Sequence, residues 1–140
     1  MIANSKVRVA FASWEQGSEK LDYYLREVEK KDFASPDRYE KHYTKSVFIP
    51  GGEMAVTGTK GGDILVWDQS LIIEGVGEQN QKKLIKVVTL IPEVDPKKLA
   101  EINQMMTIDT GECQYLVIGD SNGHIRFFDP DFKAEAWFED

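Results

Sequence analysis

The sequence predicts an all-β fold assembled from a repeated strand–turn–strand unit. Apolar residues recur with a period of two, as at Val7, Val9 and Phe11, the spacing of a half-buried strand. Glycine-bearing turns divide the apolar stretches, at Lys60-Gly61-Gly62 and at Ser121-Asn122-Gly123. The stretches around those turns also superpose without a gap, 61 residues apart. Ala55 to Leu71 reads AVTGTKGGDILVWDQSL, and Leu116 to Phe132 reads LVIGDSNGHIRFFDPDF. Val56, Gly58, Gly62, Ile64 and Asp68 meet Val117, Gly119, Gly123, Ile125 and Asp129, while Trp67 meets Phe128. Such recurrence is the mark of a stacked or radial architecture.

Each element has its own reason. Val7 to Ser13 alternates large apolar with small or charged residues. Ser18 to Lys31 is readable in two ways. Leu21, Tyr24, Leu25 and Val28 have helical spacing behind a capping Ser18, whereas on a strand Leu21, Tyr23 and Leu25 share a face. Its setting between other strands favours the strand. Ser46 to Ile49 is β-branched and aromatic, and Pro50-Gly51-Gly52 stops it. Met54 to Thr59 and Asp63 to Trp67 form a hairpin, because glycine accepts positive φ at the turn. Lys83 to Ile91 is a strand ending at Pro92. Asp95-Pro96 resembles a helix start, with a short helix or turn running into a strand from Asn103 to Ile108. Tyr115 to Gly119 and His124 to Phe128 form the second hairpin, and Lys133 to Phe138 a last strand. Asp32 to His42, Gly75 to Lys82 and Pro92 to Lys98 are polar loops.

Composition narrows the class. The chain has 140 residues, 41% hydrophobic and 29% charged, which suits one globular domain or part of one. Lys plus Arg number 17 against 24 Asp plus Glu, a net charge of −7. That balance argues against an unassisted grip on nucleic acid or anionic lipid. A single cysteine, Cys113, excludes an internal disulfide framework and a cysteine-rich zinc site. It suits a reducing compartment. His42 and His124 are too few for a histidine-rich metal centre. The longest apolar runs fall short of the ~20 residues that span a bilayer, and Met1 to Ala10 has no signal-peptide core. The expectation is a soluble intracellular protein with no membrane or nucleic-acid partner and no cofactor.

The repeated unit resembles a WD-repeat β-propeller blade. In Ser46 to Asp68, Phe48, Pro50, Gly52, Thr57, Gly58, Gly62, Ile64, Trp67 and Asp68 fall where that pattern has the same residue type. Thr107 to Asp129 follows more loosely, through Gly119, Gly123, Ile125 and Asp129. The resemblance therefore marks Gly58, Gly62, Trp67, Asp68, Gly119, Gly123, Phe128 and Asp129 as structural blade positions. There are departures. The Gly-His dipeptide ahead of a blade's first strand is missing, and the aspartate usual before the turn glycine is Gly61 in one repeat and Asn122 in the other. A buried Asp–His network is then absent, and packing alone is expected to hold the blades. The 61-residue spacing also exceeds the family's ~40–45, the surplus fitting the loops 75–82 and 92–98.

The arrangement is further similar to one subfamily, the WD-repeat cilia- and flagella-associated proteins of the calmodulin- and spoke-associated complex at the radial spoke base. Trp14, Leu21-Asp22-Tyr23-Tyr24, Val56 to Thr59, Leu84 to Leu90, Thr107-Ile108-Asp109, Gly123 to Asp129 and Trp137 carry this likeness. Such proteins are long and many-bladed, some with EF-hand-like segments, of which this chain has neither. A propeller closes with ~4–8 blades. Here residues 42–91 supply a complete blade, 92–140 most of a following one and 1–41 an incomplete one, about two and a half in all. Either the chain is a fragment, or another chain or segment completes the ring.

Other chemistry reads weakly. Lys60 is followed by glycine and a strand, not by the Ser/Thr and helix of a phosphate loop. Asp120 to Gly123 imitates a calcium loop without its closing glutamate. His124 reads as a surface strand residue, and His42 as loop or as a stand-in for the histidine that opens a blade. Cys113 has no base at a fixed spacing. Asp68 and Asp129 cap turns more readily than they pair as catalytic acids. Trp14, Trp67, Trp137 and Phe128 read as blade-core aromatics, Trp137 being the best placed to face a partner. Lys82-Lys83 and Lys97-Lys98 read as solvated loops that could meet an acidic neighbour. The resemblance implies a non-catalytic axonemal scaffold joining the radial spoke base to spoke and calmodulin-associated components in support of ciliary motility. A cytoplasmic WD-repeat adaptor or substrate receptor is the alternative, and an enzyme the least supported.

Overall fold

The computed structural model describes residues 1–33, 42–69, 81–91 and 99–139. The loop readings over 34–41, 75–80 and 92–98, the helix start at Asp95-Pro96 and the pair Lys97-Lys98 lie outside the described residues.

The fold is all-β, three antiparallel sheets in the manner of a partial propeller. The first sheet holds β1 (Ile2–Asn4), β2 (Val9–Ser13) and β3 (Asp22–Arg26), ordered β1-β2-β3. The second holds β4 (Tyr43–Phe48), β5 (Ala55–Thr59), β6 (Asp63–Gln69) and β7 (Lys82–Thr89), in chain order. The third holds β8 (Ile102–Asp109), β9 (Gln114–Asp120), β10 (Ile125–Phe128) and β11 (Ala134–Phe138), also in chain order. The one helical element among the described residues is a 3-10 turn at Lys30–Asp32.

The two repeated hairpins share one register. Ala55 pairs with Trp67 and Gly58 with Ile64, as Leu116 pairs with Phe128 and Gly119 with Ile125. Their turns share one hydrogen-bond scheme. Thr59 Oγ1 accepts from the Gly61 and Asp63 N–H groups, both at 3.2 Å. Asp120 Oδ1 accepts from the Asn122 and His124 N–H groups at 2.9 and 3.1 Å. Gly62 and Gly123 have φ of 83° and 86°, where a Cβ is costly.

Strand β1 is not foreseen from the sequence. A tight turn makes it: the Ser5 N–H donates to the Arg8 carbonyl at 2.9 Å, while Ser5 Oγ accepts from the Val7 and Arg8 N–H groups. Of the two readings of 18–31, the strand prevails at Asp22–Arg26. Phe11 pairs with Tyr24 across β2 and β3, and their rings stack 5.3 Å apart. Leu21, Tyr23 and Leu25 are exposed. Trp14 and Trp137 correct the aromatic reading, being 62% and 60% exposed, whereas Trp67 and Phe128 are buried.

The sheets stack face to face in chain order. Val9 and Phe11 of the first pack against Ala55, Leu65 and Trp67 of the second. Val56, Ile64 and Val66 of the second pack against Ile102, Leu116, Ile118 and Phe128 of the third. Covered on both sides, β5 and the Asp63–Trp67 part of β6 are buried at every residue. Such strands read as continuous runs, not as an alternation.

Candidate functional site

Chemistry-bearing groups are distributed along the seams between sheets. At the first seam, a polar chain runs through the apolar core. The Trp67 indole N–H donates to Thr57 Oγ1 at 3.0 Å, Thr57 Oγ1 lies 2.7 Å from Ser46 Oγ, and Ser46 Oγ donates to Asn4 Oδ1 at 2.8 Å. Since the Ser46 proton goes to Asn4, the Thr57 proton goes to Ser46. The Trp67, Thr57 and Ser46 donors are then all satisfied. This corrects the expectation that packing alone holds the blades: a Trp–Thr–Ser–Asn chain spans two sheets.

Further bonds close the same seam. The Tyr43 hydroxyl accepts from the Val28 N–H and the Tyr24 hydroxyl from the Lys82 N–H. Arg26 donates to the Lys82 carbonyl at 2.8 Å. Lys82 is no solvated loop residue. It opens β7 with its side chain 11% exposed, 3.3 Å from Glu53 and over the Phe48 ring. A cleft of about 340 Å³ lies here, lined by Phe11, Ser13, Tyr24, Phe48, Glu53 and Lys82 among others.

In the third sheet, the buried Asp120 carboxylate receives Arg126 Nε and faces His124 Nδ1, each at 3.3 Å. Its other oxygen holds the turn, so this aspartate is committed to structure. Asp129 Oδ1 likewise accepts from the Asp131 and Lys133 N–H groups, both at 2.9 Å, and Asp68 Oδ1 accepts from the Gln69 N–H at 2.7 Å. His42 precedes β4, and its carbonyl accepts from the Lys60 N–H. Cys113 is an exposed free thiol. Hydrogen bonding and charge from its sulfur push the Tyr115 phenol above its ordinary value. Among the described residues, no three His, Cys, Asp or Glu side chains converge as a metal site requires. No helix among them is long and apolar enough to cross a membrane.

The most distinctive surfaces are two sheet faces that no described segment covers. We term the face toward the preceding sheet leading and the face toward the next one trailing. The third sheet's trailing face carries Met106, Val117, Ile125, Phe127 and Phe138, aligned by the pairs Met106–Val117, Val117–Phe127 and Ile125–Phe138. Met106, Ile125 and Phe138 are exposed. The first sheet's leading face carries Ala3, Ala10, Ala12, Tyr23 and Leu25, with Tyr23 and Leu25 exposed. Apolar surface of this kind marks an interaction site. On the first sheet Val9 and Phe11 are covered by the second, and the alternate residues are the open ones.

These faces and seams define a class: all-β proteins whose blade-like antiparallel sheets stack face to face. The particular relatives are cilia- and flagella-associated proteins. The chain is 40% identical, over 98% of its length, to cilia- and flagella-associated protein 251 of Tetrahymena thermophila. It is 33% identical over its whole length to the protein of that name in Chlamydomonas reinhardtii, and 23% identical over 99% to that of Mus musculus. These similarities support a protein associated with cilia or flagella. The chain spans 14%, 16% and 10% of those relatives. No family model matches it.

Proposed function

We propose that this chain is part of a non-catalytic WD-repeat scaffold of the ciliary or flagellar axoneme. Its sheets form a stack whose open ends and rims carry protein–protein contacts. It links the radial spoke base to neighbouring spoke and calmodulin-associated components and so supports motility. The observation that carries this reading is the 40% identity, over 98% of the chain, to a cilia- and flagella-associated protein. The stacked sheets add a surface suited to assembly, with apolar side chains presented on flat faces.

The test is a tagged copy expressed in a ciliated cell, followed by counting in detergent-extracted axonemes and in soluble cytoplasm. Retention in the axonemes, and loss from mutant axonemes that lack radial spoke bases, is the expected result. A tag found in the soluble fraction alone overturns the axonemal reading in favour of a cytoplasmic adaptor.

A further inference from the structure

The first strands of the second and third sheets break register at the same place. Strand β4 pairs Tyr43 with Thr59 and then Ser46 with Thr57, so Thr44 and Lys45 stand opposite Gly58 alone. Strand β8 pairs Ile102 with Asp120 and then Gln104 with Gly119, so Asn103 is the extra residue. Gly58 and Gly119 are equivalent in the shared register. A bulge of this kind re-aims a side chain. Here the two bulges bring Lys45 and Asn103 to one shallow groove of about 390 Å³, bordered also by Ser5, Lys6, His42 and Glu101. The Tyr43 N–H donates to the Lys6 carbonyl at 2.9 Å, which fixes the two lysine-bearing segments side by side. The groove draws on all three sheets. It therefore lies across the internal seams and not on the faces at either end of the stack.

Its charge runs against that of the chain. Lys6 and Lys45 are exposed, and among the described residues neither has a carboxylate partner. By contrast, Arg8 is held by Glu27 at 2.8 Å, Lys31 by Glu29 at 3.1 Å and Lys82 by Glu53 at 3.3 Å. Lys60, also exposed, stands on the adjoining turn with its N–H on the His42 carbonyl. Glu101 brings a carboxylate at the third-sheet end of the groove. Ser5 Oγ accepts from the Val7 and Arg8 N–H groups, which leaves its own proton to donate. In a chain of net charge −7, such a patch steers an oppositely charged partner to one place.

We propose that this groove docks an acidic, extended segment of a partner protein. Its carboxylates meet Lys6 and Lys45, and its polar groups meet Asn103 and the Ser5 hydroxyl. A nucleic acid or an anionic membrane needs a broad basic field, and the net charge of this chain repels both. A short acidic segment meets the groove alone. The inference deepens the scaffold reading by giving the class of one partner, and it rests on that reading only in taking the rim as a contact surface.

Titration of the isotope-labelled chain with a hexaglutamate peptide, followed by amide shifts, tests it. A hexaserine peptide is the neutral control and inorganic phosphate the small-anion control. The amides of Ser5, Lys6, Lys45 and Asn103 should shift together and saturate. The shifts should fade as salt rises toward ~1 M, where charges are screened beyond ~3 Å. Lys6→Glu/Lys45→Glu should weaken binding about ten-fold or more, through two lost ion pairs and the repulsion put in their place. Lys30→Gln/Lys31→Gln, elsewhere on the surface, should leave it unchanged. All four lysines are exposed; the dispersion of the amide spectrum reads the fold, and Lys6→Gln/Lys45→Gln serves as the milder pair. No shift at several millimolar peptide overturns the proposal, as do shifts confined to another surface or an affinity that the Lys6/Lys45 variants keep. An equal response to phosphate overturns it too, because the groove would then take any small anion. Axonemal retention is read separately: a groove that fails leaves the axonemal scaffold standing, and a tag found only in the soluble fraction leaves the groove standing.

Discussion

The second and third sheets are built on one hairpin and differ in what covers them. Ile64 and Ile125 hold equivalent positions, yet Ile64 is fully buried and Ile125 is 49% exposed. The difference lies in neighbours, not in the strands themselves. The third sheet covers the second on its trailing side, and no described segment covers the third. Burial in a stacked fold is therefore a property of the pair of sheets, and stability is shared between neighbours. Substitutions at equivalent positions of the two sheets, read by urea unfolding, test this.

The largest contrast is between two tryptophans. Trp67→Ala empties the first seam and removes the donor to Thr57. A buried Trp→Ala costs ~3–5 kcal/mol, a large share of the ~5–15 kcal/mol that holds a domain. Trp137 stands on the edge strand of the third sheet, largely exposed, and Trp137→Ala should stay within ~0.5 kcal/mol. Equal losses at the two positions would break the comparison.

The equivalent isoleucines come next. Ile64→Ala leaves a cavity between the second and third sheets and should cost ~2–5 kcal/mol. Ile125→Ala removes a side chain about half in water and should change the unfolding free energy by no more than ~0.5 kcal/mol. A cost at Ile125 matching that at Ile64 would show the third sheet covered within the single chain.

Legibility followed the same division. The hairpins could be read because a turn glycine and flanking β-branched residues are local signals, repeated in register. Strand β1 could not. It is three residues long, too short for any period, and Asn4 ties it to β4 by donating from Nδ2 to the Thr44 carbonyl. The Trp67–Thr57–Ser46–Asn4 chain was equally hidden, since it depends on Ser46 pairing with Thr57 and on a residue from another sheet. Trp14 was misread because residue type suggests a core place, while the chain leaves β2 at Ser13. Tyr23 and Leu25 share a face as the strand reading requires, with Leu21 just outside β3, but a period of two does not say which face is open.

The smallest contrast is at the paired glycines. Gly58 and Gly119 hold the same place in the shared register and face the trailing side. A Cβ at Gly58 would lie 2.9 Å from Ile102 Cγ2 and 3.0 Å from Met105 Cε, because the third sheet settles onto the bare backbone there. Gly58→Ala must push those side chains back and should cost ~1–3 kcal/mol, the usual penalty for overpacking. A Cβ at Gly119 meets only Gln104 Cβ, at 3.6 Å, an ordinary contact. Neither position has the positive φ that would strain an alanine. Gly119→Ala should therefore be neutral, or stabilising by ~0.4–1 kcal/mol through the restricted unfolded chain. Equal losses at the two glycines would show the third sheet's backbone covered as closely within the single chain as the second's.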